Sequence, residues 1–197
     1  MINTPGQMNP NSDRGKKLIE FIKNKDFSTI VEIGTWNGLG STICVLQSKK
    51  QTCDFYSLES NRNFFEIALT NLSENVSKIN LIHGSIVTFD ELKKYSENLE
   101  LNSEQNKWLQ EDLKNLEKIN YVLEDLPLNI DLLILDGGEF ASYIEWTKLK
   151  SRVKFVALDD TKVLKNQKVV EELSRDENFL LIDSSDEGHG FAIFEKR

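Results

Sequence analysis

The chain has 197 residues, 32 acidic and 24 basic, for a formal net charge of −8. That length suits one α/β domain with an appendage, and the net negative field repels phosphate backbones, so nucleic acid is not the expected partner. Cys44 and Cys53 have neither C-x-x-C nor Cys/His spacing, the first residues lack a basic start and an apolar core, and no apolar run approaches the ~18–20 residues of a membrane span. The composition therefore predicts a cytoplasmic protein with reduced thiols and no membrane partner.

The chain is read as a single domain over 1–197. Residues 1–11, with two prolines, form an N-terminal arm, and Asn11 or Ser12 caps a helix over 13–24 whose Leu18, Phe21 and Ile22 share one face. Ile30, Val31 and Ile33 then make a buried strand that stops at Gly34. Gly38, Gly40 and Ser41 follow before a helix over 41–48. In such a turn the glycines admit a ligand close to backbone, and the helix start offers unpaired N–H groups. A nucleotide-like ligand is the natural guest, but the spacing G-x-x-x-G-x-G fits the dinucleotide fingerprint poorly.

A second strand over 55–58 ends at Glu59, and a helix runs on from Ser60-Asn61-Arg62 to Leu72. An acidic residue at the carboxyl end of strand two in a doubly wound sheet accepts ribose hydroxyls, which supports a nucleoside without choosing the cofactor. Strand three, over 79–82, runs into His83-Gly84-Ser85-Ile86, where a lone histidine beside a glycine is more often structural than a base. Residues 88–128 read as a charged helical insertion between strands three and four. Leu109, Leu113, Leu116 and Ile119 recur at helical spacing there, and Trp108 is either a packing residue or part of a lid or homodimer interface.

Strand four, over 130–135, ends at Asp136-Gly137-Gly138-Glu139 and leads into a helix. Strand five, over 153–158, ends at Asp159-Asp160. Three strand-end carboxylates, Asp136, Asp159 and Asp160, form an oxygen-rich candidate site for Mg²⁺. A helix over 167–174, a strand over 179–183 and a return strand over 190–194 close the chain as a hairpin, with His189 at its mouth as a candidate general base. Asn166 is read as a helix cap.

The pattern E-x-G-x-x-x-G-x-G, from Glu32 to Gly40, resembles the first motif of class I S-adenosylmethionine-dependent methyltransferases. The resemblance implies that Glu32, Gly34, Gly38, Gly40, Ser41 and Asp136 lie against the cofactor, that Glu59 binds its ribose, and that Ser85 and Ile86 touch the adenine. It also implies a doubly wound α/β sheet of seven strands, mostly parallel, in the order 3-2-1-4-5-7-6 with an antiparallel C-terminal strand. The stretch from Asp136 to Tyr143 resembles the I-D-G-x-H-x-Y signature of small O-methyltransferase-like proteins, with Glu139 where the histidine would be. Metal-dependent O-methyltransferases use an acid after strand four and an Asp-Asn pair after strand five, and Asp160 stands here in place of the Asn. The implied activity is O-methylation of a small-molecule hydroxyl, of a sugar or secondary metabolite, with Asp136, Asp160 and His189 at the acceptor side. A cofactor-binding or partner protein of the same fold without transfer activity, an NAD-linked oxidoreductase and an iron-dependent hydroxylase are the alternatives.

Overall fold

A computed structural model describes residues 4–197; the first three residues of the expected arm lie outside it. Seven strands, β1 (Thr29–Ile33), β2 (Asp54–Glu59), β3 (Asn80–His83), β4 (Ile130–Leu135), β5 (Val153–Asp159), β6 (Phe179–Ser185) and β7 (Phe191–Lys196), form one sheet. Its order is β3-β2-β1-β4-β5-β7-β6. The pairs from β3 through β5 are parallel, and β7 runs antiparallel to both β5 and β6. This is the expected doubly wound sheet with its terminal hairpin.

The central strands are buried on both faces, which is why they read as continuous apolar runs. Along β4 the side chains alternate between two cores: Leu133 and Leu135 face one, Leu132 and Ile134 the other, all fully buried. The second core is closed by α1 (Asp13–Lys23), α2 (Ser41–Ser48) and α3 (Arg62–Asn71) through Leu18, Cys44, Val45, Ala68 and their neighbours. The first is closed by α4 (Phe89–Ser96), α5 (Ser103–Leu116), α6 (Ser142–Leu149) and α7 (Leu164–Arg175). Leu109, Leu113 and Leu116 of α5 are buried in it, so the apolar stripe of the 88–128 segment meets the chain's own core, while Trp108 is 45% exposed.

Local chemistry sets the element ends. The Ser12 side chain accepts from Gly15 N–H at the start of α1, Asn61 does the same for α3, and α4 and α5 each begin with a reciprocal capping box, Thr88 with Glu91 and Asn102 with Gln105. Most element ends fall within a residue or two of expectation, and two of the differences bear on the site. Helix α7 begins at Leu164, so Asn166 is an interior residue and not its cap. Strand β6 continues to Ser185, because β7 pairs with it up to Ser185↔Phe191, and the hairpin turn shrinks to 186–190. No helix among the described residues is long and apolar enough to cross a membrane.

Candidate active site

All five parallel strands point their carboxyl ends toward one side of the sheet, where backbone polar groups and strand-end side chains line a crevice. A cavity of about 460 Å³ lies there, within the usual range for small-molecule sites. It is walled by the strand-end loops, by α5, and by Pro5, Gly6 and Gln7 of the N-terminal arm. The arm is held down by Met8, which is 1% exposed, by Asn37 Nδ2 donating to Thr4 O (2.9 Å), and by Arg14 Nη2 donating to Gln7 Oε1 (3.0 Å).

Gly34 ends β1 with φ +101°, and a Cβ there would stand 2.3 Å from the Asp136 carbonyl oxygen. Only glycine fits where the ends of β1 and β4 converge. Gly34, Gly40 and Ser41 line the cavity as expected. Gly38 does not: its φ is +80°, which itself favours glycine, and a Cβ there would stand 2.8 Å from the Leu72 side chain. Trp36 and Asp160 are the two non-glycine residues with positive φ among the described residues, at 50° and 54°, and both line the cavity. Left-handed backbone costs a non-glycine residue about 1–2 kcal/mol, and such residues cluster at functional sites.

Glu59 lies at the cavity wall, 8% exposed. Its Oε2 accepts from Trp36 N–H at 2.7 Å and its Oε1 from Asn61 N–H at 2.8 Å. An ionised carboxylate has about four acceptor positions, so capacity remains toward the cavity. Burial pushes its pKa up to about 7, against these backbone donors. Glu32 is placed otherwise. It is fully buried beneath the loop, accepts from Thr42 Oγ1 (2.7 Å) and Ser57 Oγ, and does not line the cavity. Burial raises it to about 7. Its reach to the site runs through hydroxyls, and the expectation of a direct cofactor contact is corrected accordingly.

On the adenine side the expectations also change. Ser85 reaches the cavity, but its hydroxyl donates to Val87 O and accepts from Val87 N–H, both at 2.9 Å, closing a local turn. Ile86 is 1% exposed and belongs to the core beneath. His83 packs with its ring centroid 5.2 Å from that of Phe65, tilted by 41°, and does not line the cavity.

The acceptor side centres on Asp136, Asp159 and Asp160, all cavity-lining. Two cations stand among them. Lys165, on the first turn of α7 and 7% exposed, places Nζ 2.8 Å from Asp136 Oδ1 and 3.3 Å from Asp160 Oδ2. Arg14, on α1 and 4% exposed, places Nη1 2.6 Å from Asp159 Oδ1 and 3.2 Å from Asp160 Oδ1. Burial alone would lower the Lys165 pKa, but the charges of Asp136, Asp159 and Asp160 carry it above that of a free lysine. Asp159 is held above the ordinary carboxyl value by burial and by the Asp136 charge, against the pull of Lys165 and Arg14. Asn166 Nδ2 ties the strand ends together by donating to Leu135 O (3.1 Å) and Asp159 O (2.5 Å).

These residues do not fit the expected Mg²⁺. The carboxylates already face cations, and among the described residues no three acidic, histidine or cysteine side chains converge as a metal ligand set. His189 also departs from expectation: it is exposed in the hairpin turn, outside the cavity.

Residues that sequence reading missed complete the wall. Glu145, on α6, is 5% exposed with Oε2 unpaired, and burial raises it to about 8. Asp112, on α5, stands 3.1 Å from where a Cβ on Gly138 would lie, and burial raises it to about 6. Neither has a local motif; an acidic residue inside an amphipathic helix reads as a solvated one until the fold turns it inward.

No family model matches this sequence, and no curated protein matches it. Its fold has many solved counterparts. An O-methyltransferase from Bacillus cereus in complex with SAH is similar over 99% of this chain and 85% of its own, at 15% identity and a TM-score of 0.66. The O-methyltransferase TomG from Streptomyces achromogenes, in complex with SAM, gives 94% and 80%, 16% identity and 0.64. A methyltransferase from Geobacter sulfurreducens gives 94% and 79%, 13% identity and 0.65. With its strand order, terminal hairpin and these counterparts, the chain has the Rossmann-like fold of the class I S-adenosylmethionine-dependent methyltransferases.

Proposed function

We propose that the chain is a methyltransferase that uses S-adenosylmethionine to methylate an oxygen of a small molecule. The observation that carries this reading is Glu59, a buried carboxylate at the carboxyl end of β2 with acceptor capacity facing the cavity beside the Gly34 loop. When bound, S-adenosylmethionine supplies an electrophilic methyl group on a sulfonium sulfur. Glu59 would hold the ribose, Gly34 and Gly40 would let the loop backbone approach, and Ser41 and Asp136, joined by a 2.9 Å hydrogen bond, would face the methionine end. Ser41 and Asp136 are thereby pre-set, so little side-chain ordering remains for binding.

On the acceptor side the chain's work is alignment and charge. Lys165 and Asp160 orient the acceptor oxygen, and the Asp160 carboxylate, between two cations, takes up the hydroxyl proton as the oxygen becomes nucleophilic. The arm and α5 shield this step from water.

Incubation with methyl-labelled S-adenosylmethionine and a panel of phenols, sugars and hydroxy acids tests the reading. Label in an acceptor, lost in Glu59→Ala, supports it. One observation favours a second reading, a cofactor-binding protein without transfer: all three acceptor-side aspartates are paired with cations and His189 is outside the cavity. Cofactor binding with no label moved to any acceptor supports that reading instead.

A further inference from the structure

Two of the strand-end aspartates expected to hold a divalent metal ion, Asp136 and Asp160, face a side-chain cation instead. Lys165 is buried to 7% exposure yet lines the cavity, and its ammonium bridges Asp136 at the end of β4 and Asp160 beyond the end of β5. An ammonium has three donors, and these two contacts engage two of them. Arg14 neutralises Asp159 and the other oxygen of Asp160 from the opposite side. Asp160 is further fixed by its left-handed backbone, at φ 54°.

We infer that Lys165 is the built-in cation of this site, a residue that binds the oxygen of an incoming hydroxyl or carboxylate ligand and that replaces the divalent metal ion. The inference rests on the proposed function only in calling that ligand the methyl acceptor. Three features carry it. The ammonium cannot leave without turning two partly buried carboxylates, Asp136 and Asp160, toward each other uncompensated, which costs more than the loss of a surface pair. Among the described residues its remaining donor has no hydrogen-bond partner to compete with a ligand. Beside it, Glu145 Oε2 is buried, unpaired and on the cavity wall, a hydrogen-bond acceptor waiting for a donor such as a ligand hydroxyl. A hydroxyl ligand offers both complements, an oxygen for Lys165 and a proton for an acidic neighbour. A point charge on a flexible stem also imposes no octahedral geometry, so the site accepts oxygen ligands of varied shape.

The test uses Mn²⁺ alone as probe, followed by its electron paramagnetic resonance signal, on the wild type, Lys165→Ser and Lys165→Arg. The wild type and Lys165→Arg are expected to leave the free Mn²⁺ signal unchanged up to about 1 mM metal, the regime of weak carboxylate sites. Lys165→Ser, with Asp136 and Asp160 released from the ammonium and free to turn toward a shared ion, is expected to bind Mn²⁺ and to gain thermal stability from it. Binding of Mn²⁺ by the wild type overturns the inference, and so does absence of binding by folded Lys165→Ser. If Lys165→Ser does not fold, Lys165→Gln, a longer neutral side chain at the same position, takes its place with the same two outcomes. Titration of the same wild-type sample with S-adenosylhomocysteine keeps the two claims apart, since loss of the cofactor reading leaves the metal result standing.

Discussion

Glu59 Oε2 accepts the Trp36 backbone N–H at 2.7 Å, so the carboxyl end of β2 is tied to the loop that follows β1. The contact orients the carboxylate and stabilises a left-handed Trp36 in one stroke. Hydrogen bonds to a charged group are worth about 1.5–3 kcal/mol, so Glu59→Gln is expected to weaken S-adenosylhomocysteine binding roughly 10- to 100-fold. Calorimetry on the folded variant checks this.

Stability should fall as the pH rises through neutrality. Burial lifts Asp112 to about 6, Glu32 and Glu59 to about 7 and Glu145 to about 8, all above their unfolded values. The folded chain therefore binds more protons than the unfolded one between pH ~4.5 and ~8, and unfolding free energy decreases across that window. Glu145→Gln removes one of these buried charges. It is expected to raise the melting temperature at pH 8.5, by the equivalent of about 1–3 kcal/mol, while changing little at pH 5. Thermal scans at the two pH values measure it; equal shifts at both would contradict the assignment.

How much of this was legible in the sequence depends on how local each signal is. The strands, the Gly34 turn, Glu59 and the cap of α1 are written in runs of a few residues, and the sheet order followed from the motifs' resemblance to one family. Arg14 and Asp159 are 145 positions apart, and nothing near either predicts the 2.6 Å contact that disarms the expected metal site. Ile86 and Glu32 were misplaced for a related reason. Both sit beside site residues in sequence, but the two-residue alternation of a strand and the tight turn after β3 point them into the core. Asp112 and Glu145 were hidden because an acid on a helix carries no sign of which way the helix will face.

The two glycines of the loop should separate in their effects. Gly34→Ala meets both a left-handed backbone and the Asp136 carbonyl, and is expected to cost upward of about 2 kcal/mol in unfolding free energy. Gly38→Ala meets a left-handed backbone and the flexible end of Leu72 away from the cavity, so it should lower stability yet leave cofactor affinity unchanged in the folded fraction. Urea midpoints and calorimetry on the same preparations distinguish the two.

The α5 helix offers a contrast between packing and exposure. Leu113→Ala opens a cavity in the first core and is expected to cost about 2–4 kcal/mol. Trp108→Ala, at a 45% exposed position, should stay within about 0.5 kcal/mol. A large concentration-dependent loss for Trp108→Ala would instead place that indole in an interface between two copies of the chain.

The central claim is that the cavity between Gly34 and Glu59 is made for S-adenosylmethionine, and calorimetric titration of the wild type with S-adenosylmethionine and S-adenosylhomocysteine tests it most directly. Micromolar binding of both, lost in Glu59→Ala and absent for NADH, is the predicted result. A folded wild type that binds neither would contradict the claim, and would make the glycine turn a structural corner of the sheet.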